Sequence, residues 1–204
     1  MWMRILLRPF AAFAVLALCA SAGASFAQAT DPAIPTIDAF DNALIETMKQ
    51  AKALGPKGRY QKLEPAIQRA FNLPVMTRFA VGPAWGQFSE PDHNALIDAF
   101  TRLTVASYAH NFDGYGGERF VINPKVQTRG PDKIVETKLM RPGDKPVSLN
   151  YRMRLDGATW KVIDIYYGNI SQLSLRRADL ANTASVGARA LIRDMNNQAD
   201  KLLK

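Results

Sequence analysis

Alternation of apolar and polar side chains is clearest over residues 147–155. Val147, Leu149, Tyr151, Met153 and Leu155 fall on one side of an extended chain, and Ser148, Asn150, Arg152 and Arg154 fall on the other. Residues 118–128, 134–140 and 160–167 are similarly rich in β-branched and aromatic residues. The turns between them are marked by Gly130-Pro131-Asp132, Arg141-Pro142-Gly143-Asp144 and Asp156-Gly157. The pattern predicts four antiparallel strands in succession, with one apolar and one wet face.

Before and after this block the apolar period becomes helical. Thr36 is placed to cap a helix carrying Ile37, Phe40, Leu44, Ile45, Met48 and Leu54, which ends before Gly55-Pro56. A second helix over 59–71 contains Pro65, which should kink or restart it. Phe71, Leu73, Val75, Met76 and Phe79 then cluster around Pro74, Gly82-Pro83 ends that segment, and Trp85 follows. Ser89, with Pro91 and Asp92 behind it, opens the longest helix, which runs to about Asn111. Its stripe of Leu96, Phe100, Leu103 and Ser107, flanked by Ile97, Thr104 and Tyr108, is wider than one helix contact needs. Ser171 can cap a helix with Leu173, Leu175 and Leu180. In the last helix Ala188, Leu191, Ile192, Met195, Ala199 and Leu202 share one face, which should close against the sheet or the first helix. The expected fold is α+β: a helical layer on a curved four-stranded antiparallel sheet, with a hydrophobic pocket where the cover is incomplete.

Composition adds an address. Arg4 and Arg8 precede an apolar run from Phe10 to Ala20 and a small-x-small site, Ser25-Phe26-Ala27. Residues 1–27 therefore read as a cleavable signal peptide and 28–204 as one domain. An uncleaved anchor over 9–30 is the alternative, facing the same compartment. A lipoprotein reading of Cys19 is disfavoured by Leu18 before it. The single cysteine leaves with the leader, so the domain uses no disulfide and no thiolate chemistry. The net charge of +8 loses Arg4 and Arg8 and stays basic, which suits phosphate headgroups or membrane surfaces. Export disfavours nucleic acid as the partner.

Catalytic patterns are scarce. His93 and His110 are about 260° apart around one predicted helix, so they do not form a metal pair. There is no G-x-S-x-G elbow and no H-E-x-x-H. Gly114-Tyr115-Gly116-Gly117 lacks the Lys-Ser/Thr of a phosphate loop and reads as turn geometry. Asp164, near Tyr151, Tyr166 and Tyr167, is the one candidate general base of a cone-shaped enzyme site. Its structural alternative is pairing with Arg152 or Arg154 across the sheet.

Several runs carry a resemblance: 60–65 (YQKLEP), 71–76 (FNLPVM), 112–115 (FDGY), 160–165 (WKVIDI) and 168–171 (GNIS). Together they resemble the MlaC-type, or toluene-tolerance, family of periplasmic lipid-binding proteins. Residues 170–179 (ISQLSLRRAD) are similar to its hopanoid-associated HpnM branch. The resemblance implies an NTF2-like cone that encloses the acyl chains of a phospholipid, or a polycyclic hopanoid. It also implies a shuttle between an inner-membrane ABC transporter complex and an outer-membrane lipoprotein complex, with no cofactor, metal or catalytic residue. An exported adaptor with a filled core is the alternative of a different class.

On that reading the pocket candidates are Phe71, Leu73, Met76, Phe79, Trp85, Phe100, Leu103, Tyr108, Phe120, Ile122, Leu139, Leu149, Tyr151, Met153 and Ile165. The headgroup candidates are Arg119, Arg152, Arg154, Arg176 and Arg177.

Overall fold

Asp31 and Pro35 start the first helix. The Asp31 carboxylate accepts the Ala33 amide at 2.9 Å, and Pro35 sits where no amide donor is needed, so α1 (Ile34–Lys49) begins ahead of Thr36. This is a computed structural model describing residues 30–204, and the expected leader lies outside the described residues. Helix α1 ends at Lys49 with Gln50 as its cap, short of the Gly55-Pro56 stop expected for it, so Leu54 falls in α2 (Ala51–Ala70). Gly55 breaks α2 internally with a non-helical φ of 60° and ψ of 179°. Pro65 does not interrupt it. That residue lies on an exposed face, where the carbonyl it leaves unpaired can reach water.

Asn72 caps α3 (Leu73–Val81), accepting the Val75 amide at 3.2 Å. A 3-10 turn over Gly82–Gln87 leads to α4 (Glu90–Asn111), which opens with a capping box between Ser89 and Asp92.

The sheet contains β1 (Arg119–Ile122), β2 (Gln127–Arg129), β3 (Asp132–Met140), β4 (Val147–Asp156), β5 (Thr159–Tyr167) and the two-residue β6 (Ile170–Ser171), all antiparallel. The strand expected over 118–128 is thus two strands, both paired with β3, because Pro124 between them has no amide to give the ladder. Four rows remain, with β6 extending the far edge.

Ser171 caps α5 (Gln172–Ala184) as expected, and α6 (Ala188–Leu202) follows. Helix α6 packs on α4 and α5 rather than on the sheet or α1. Arg102 of α4 ties it down, reaching the Asn196 carbonyl at 3.1 Å and Asp200 at 2.5 Å. This accounts for the wide apolar face of α4, which meets α6 on one side and the space above the sheet on the other.

Candidate functional site

One join positions the site. Phe71 and Asn72, between α2 and α3, pair with the edge of β5 away from β4: Phe71 forms a parallel bridge with Val162, and the Asn72 amide donates to the Val162 carbonyl at 2.8 Å. At that end of β4 and β5 the helices sit tight on the strands. Toward the other end they stand away, leaving a cavity of about 770 Å³, in the size range of ligand sites.

Its interior is apolar. Met48, Phe71, Met76, Phe100, Leu139, Tyr151 and Leu173 line it and are buried, while Tyr108, Phe112, Val147, Leu149 and Ile165 line it and are half-buried. The inner wall is an aromatic cluster built on Phe40 of α1. Its ring meets Phe71, Tyr108 and Tyr151 edge-on at 5.0, 5.4 and 6.2 Å. Helix α4 contributes Thr104 and Ser107, whose hydroxyls donate to the Phe100 and Leu103 carbonyls at 2.8 Å each. These small side chains leave room for a ligand and present no unpaired donor to it. The rim is polar: Asn111, Asp113, Tyr115, Glu118, Arg141, Tyr167, Gln172 and Arg176.

Of the residues singled out from sequence, Phe71, Met76, Phe100, Tyr108, Leu139, Leu149, Tyr151 and Ile165 line this cavity. Seven do not. Met153 lies opposite Val162 and is fully buried core. Leu73 and Leu103 are also buried in the core, Leu103 turned just off the Phe100–Ser107 stripe. Phe79 is 42% exposed, since α3 buries Leu73, Met76, Thr77, Ala80 and Val81 and leaves Val75 and Phe79 outside. Trp85 stacks on His93 at 3.9 Å, with the His93 Nε2–H donating to the Trp85 carbonyl. Phe120 and Ile122 sit on β1, against which α1 packs.

Of the five headgroup candidates only Arg176 lines the cavity. Arg152 and Arg154 both bond the buried carboxylate of Asp132, at 2.7 and 2.6 Å. Burial there works against the charge of Asp132, but the two guanidiniums hold its pKa below the ordinary value. Arg177 lies over the Phe79 ring at 5.2 Å, outside the cavity, and Arg119 is exposed on β1. Arg141 takes the place sequence reasoning assigned to others. Its position in a Pro-Gly turn disguised it.

Asp164 does not line the cavity. Its carboxylate accepts the Ser171 hydroxyl at 2.7 Å and the amides of Ile165 and Leu173 at 2.7 and 3.2 Å, fastening the start of α5 to the sheet. No group of three His, Cys, Asp or Glu side chains among the described residues could hold a metal. Sequence reasoning also missed Asp41, which is buried behind the aromatic wall and accepts the Tyr151 hydroxyl. No local pattern in the sequence marks it for burial.

Residues 38–197 match the MlaC protein family. The chain belongs to that family. No helix among the described residues is long and apolar enough to cross a membrane. A phospholipid-binding protein from Ralstonia solanacearum, solved in complex with a phospholipid, superposes with a TM-score of 0.74 at 20% identity, covering 84% of this chain and 99% of that one. At that identity the likeness establishes the fold. No curated protein matches the chain.

Proposed function

We propose that this family member is an exported lipid carrier that holds one phospholipid with its acyl chains in the cavity and its headgroup at the polar rim. The observation that carries the reading is the cavity itself, about 770 Å³ with a buried apolar interior and its charged side chains confined to the rim. Leaving ~30 methylenes of a two-chain lipid in water costs on the order of 20 kcal/mol at about 0.8 kcal/mol each, so a lipid crossing an aqueous compartment needs such an enclosure. Carrying requires no covalent step, which agrees with the placement of Asp164 as a structural carboxylate. The phospholipid bound to the R. solanacearum protein of the same fold supports the ligand class.

The basic leader with its small-x-small site supports a periplasmic location. There the carrier exchanges cargo between an inner-membrane ABC transporter complex and an outer-membrane lipoprotein complex. The similarity of 170–179 to the hopanoid-associated branch makes a polycyclic hopanoid the second cargo to look for.

Mass spectrometry of the organic extract from protein purified from periplasm without detergent tests the reading. Near-stoichiometric phospholipid is expected, and hopanoid in its place changes the cargo but keeps the carrier. Well-folded protein that yields no lipid overturns the carrier in favour of an adaptor.

A further inference from the structure

We propose that the cavity mouth selects zwitterionic phospholipids, with Arg141 taking the phosphate and Glu118 the amine, an inference that rests on the lipid-carrier reading. The β1–β3 ladder ends with Arg119 opposite Met140, and Glu118 and Arg141 are the residues just beyond that last pair on the two strands. Both side chains line the cavity. Neighbouring strands lie about 4.8 Å apart, comparable to the separation of a phosphate and an amine joined by a two-carbon bridge.

An Arg and a Glu at neighbouring strand ends ordinarily pair with each other. Among the described residues these two do not. Arg141 reaches only Asp144 at 3.8 Å and the Lys145 carbonyl at 3.5 Å, while Glu118 Oε2 accepts the Gly116 amide at 2.6 Å. The loop before β1 is held against the β3–β4 turn through Gly117, where a Cβ would come within 3.1 Å of Pro142. Opposite charges therefore stand apart at the exit of an apolar cavity.

Asp113 adds a second carboxylate to the rim and Arg176 a second guanidinium, one bond of which goes to Gln198 at 3.1 Å. A headgroup carrying phosphate and ammonium satisfies both signs. A headgroup with phosphate alone leaves Glu118 and Asp113 facing an anion, the kind of like-charge contact that discriminates between ligands.

The test offers delipidated protein vesicles containing equal phosphatidylethanolamine and phosphatidylglycerol with identical acyl chains, then measures the bound lipid by mass spectrometry. The expected result is a roughly two- to fivefold enrichment of the ethanolamine lipid, the scale of an ion pair at a solvent-exposed rim. Glu118→Gln should abolish the enrichment and Glu118→Lys should reverse it. Circular dichroism checks folding, and Asp113→Asn, on an exposed loop, reads the same ratio if the Glu118 variants do not fold. Equal loading by the wild type, or an enrichment that survives every folded variant, overturns the headgroup assignment while the carrier reading stands. Folded wild-type protein that takes up neither lipid overturns both.

Discussion

The Tyr151 hydroxyl donates to Asp41 Oδ1 at 3.1 Å, joining β4 to α1 directly behind the cavity wall. Asp41 Oδ2 has no hydrogen-bond partner among the described residues. Burial is the largest influence on this carboxyl, opposed by the Tyr151 bond and reinforced by Asp38, and its pKa is pushed up to about 8. The folded state therefore binds a proton that the unfolded chain, titrating near 4, has released. Stability contributed by the neutral acid is full below the unfolded pKa and is lost as pH rises toward about 8, with a slope of at most about 1.4 kcal/mol per pH unit. Urea melts between pH 5 and pH 8 should show this decline in the wild type and a flatter profile in Asp41→Asn. Parallel profiles would mean that Asp41 is ionised in the folded protein.

The opening over α4 depends on small side chains at Thr104 and Ser107. Thr104→Trp should obstruct the cavity without cutting the α4 backbone and should lower the co-purifying lipid. The change in melting temperature should be modest, because the added ring occupies space the ligand vacates. Extraction and mass spectrometry, alongside thermal melts, check both halves. Full lipid stoichiometry in the folded variant would place the acyl chains elsewhere.

Asp164 is expected to matter for stability, not for chemistry. Asp164→Ala removes the acceptor of the Leu173 amide and the Ser171 hydroxyl, and should cost about 1–2 kcal/mol, the scale of a lost helix cap. Chemical denaturation measures it. Leu173 and Arg176 on α5 line the cavity, so lipid retention should fall along with stability.

Gly82 makes the sharp exit from α3 with φ of 69°, and a Cβ there would lie 3.1 Å from Arg177 Nε. Gly82→Ala is strained by its backbone and also pushes the guanidinium off Phe79. A loss of about 1 kcal/mol or more is expected, read as a lower melting temperature.

Arg152 and Arg154 should be silent in lipid binding and visible in acid. Their bonds hold Asp132 ionised below the ordinary carboxylate pKa. The stability they add is present above the unfolded pKa and is lost as pH falls through the depressed folded value. Arg154→Gln should therefore narrow the difference in stability between pH 6 and pH 3 in denaturant melts, with bound lipid unchanged.

The sequence by itself determined the elements and their order. Alternation over 147–155 marks β4, and the Ser89 and Ser171 caps mark where α4 and α5 begin, because these signals are local and read along the chain, whereas the end of α1 at Lys49 fell short of the Gly55-Pro56 stop. Alternation also set Leu149 and Tyr151 on one face of β4, and both line the cavity. The boundary between core and cavity was decided only by the tertiary structure. Tyr151 and Met153 look alike in sequence, yet Tyr151 lines the cavity while Met153, opposite Val162, is fully buried core. The arginines divide similarly: Arg152 and Arg154 are claimed by Asp132, twenty and more residues away, while Arg141, just past the end of β3, lines the cavity. Asp41 shows the principle most plainly. Its burial comes from how α1 packs over β4, and that proximity of distant segments is a property of the packed chain rather than of any stretch within it.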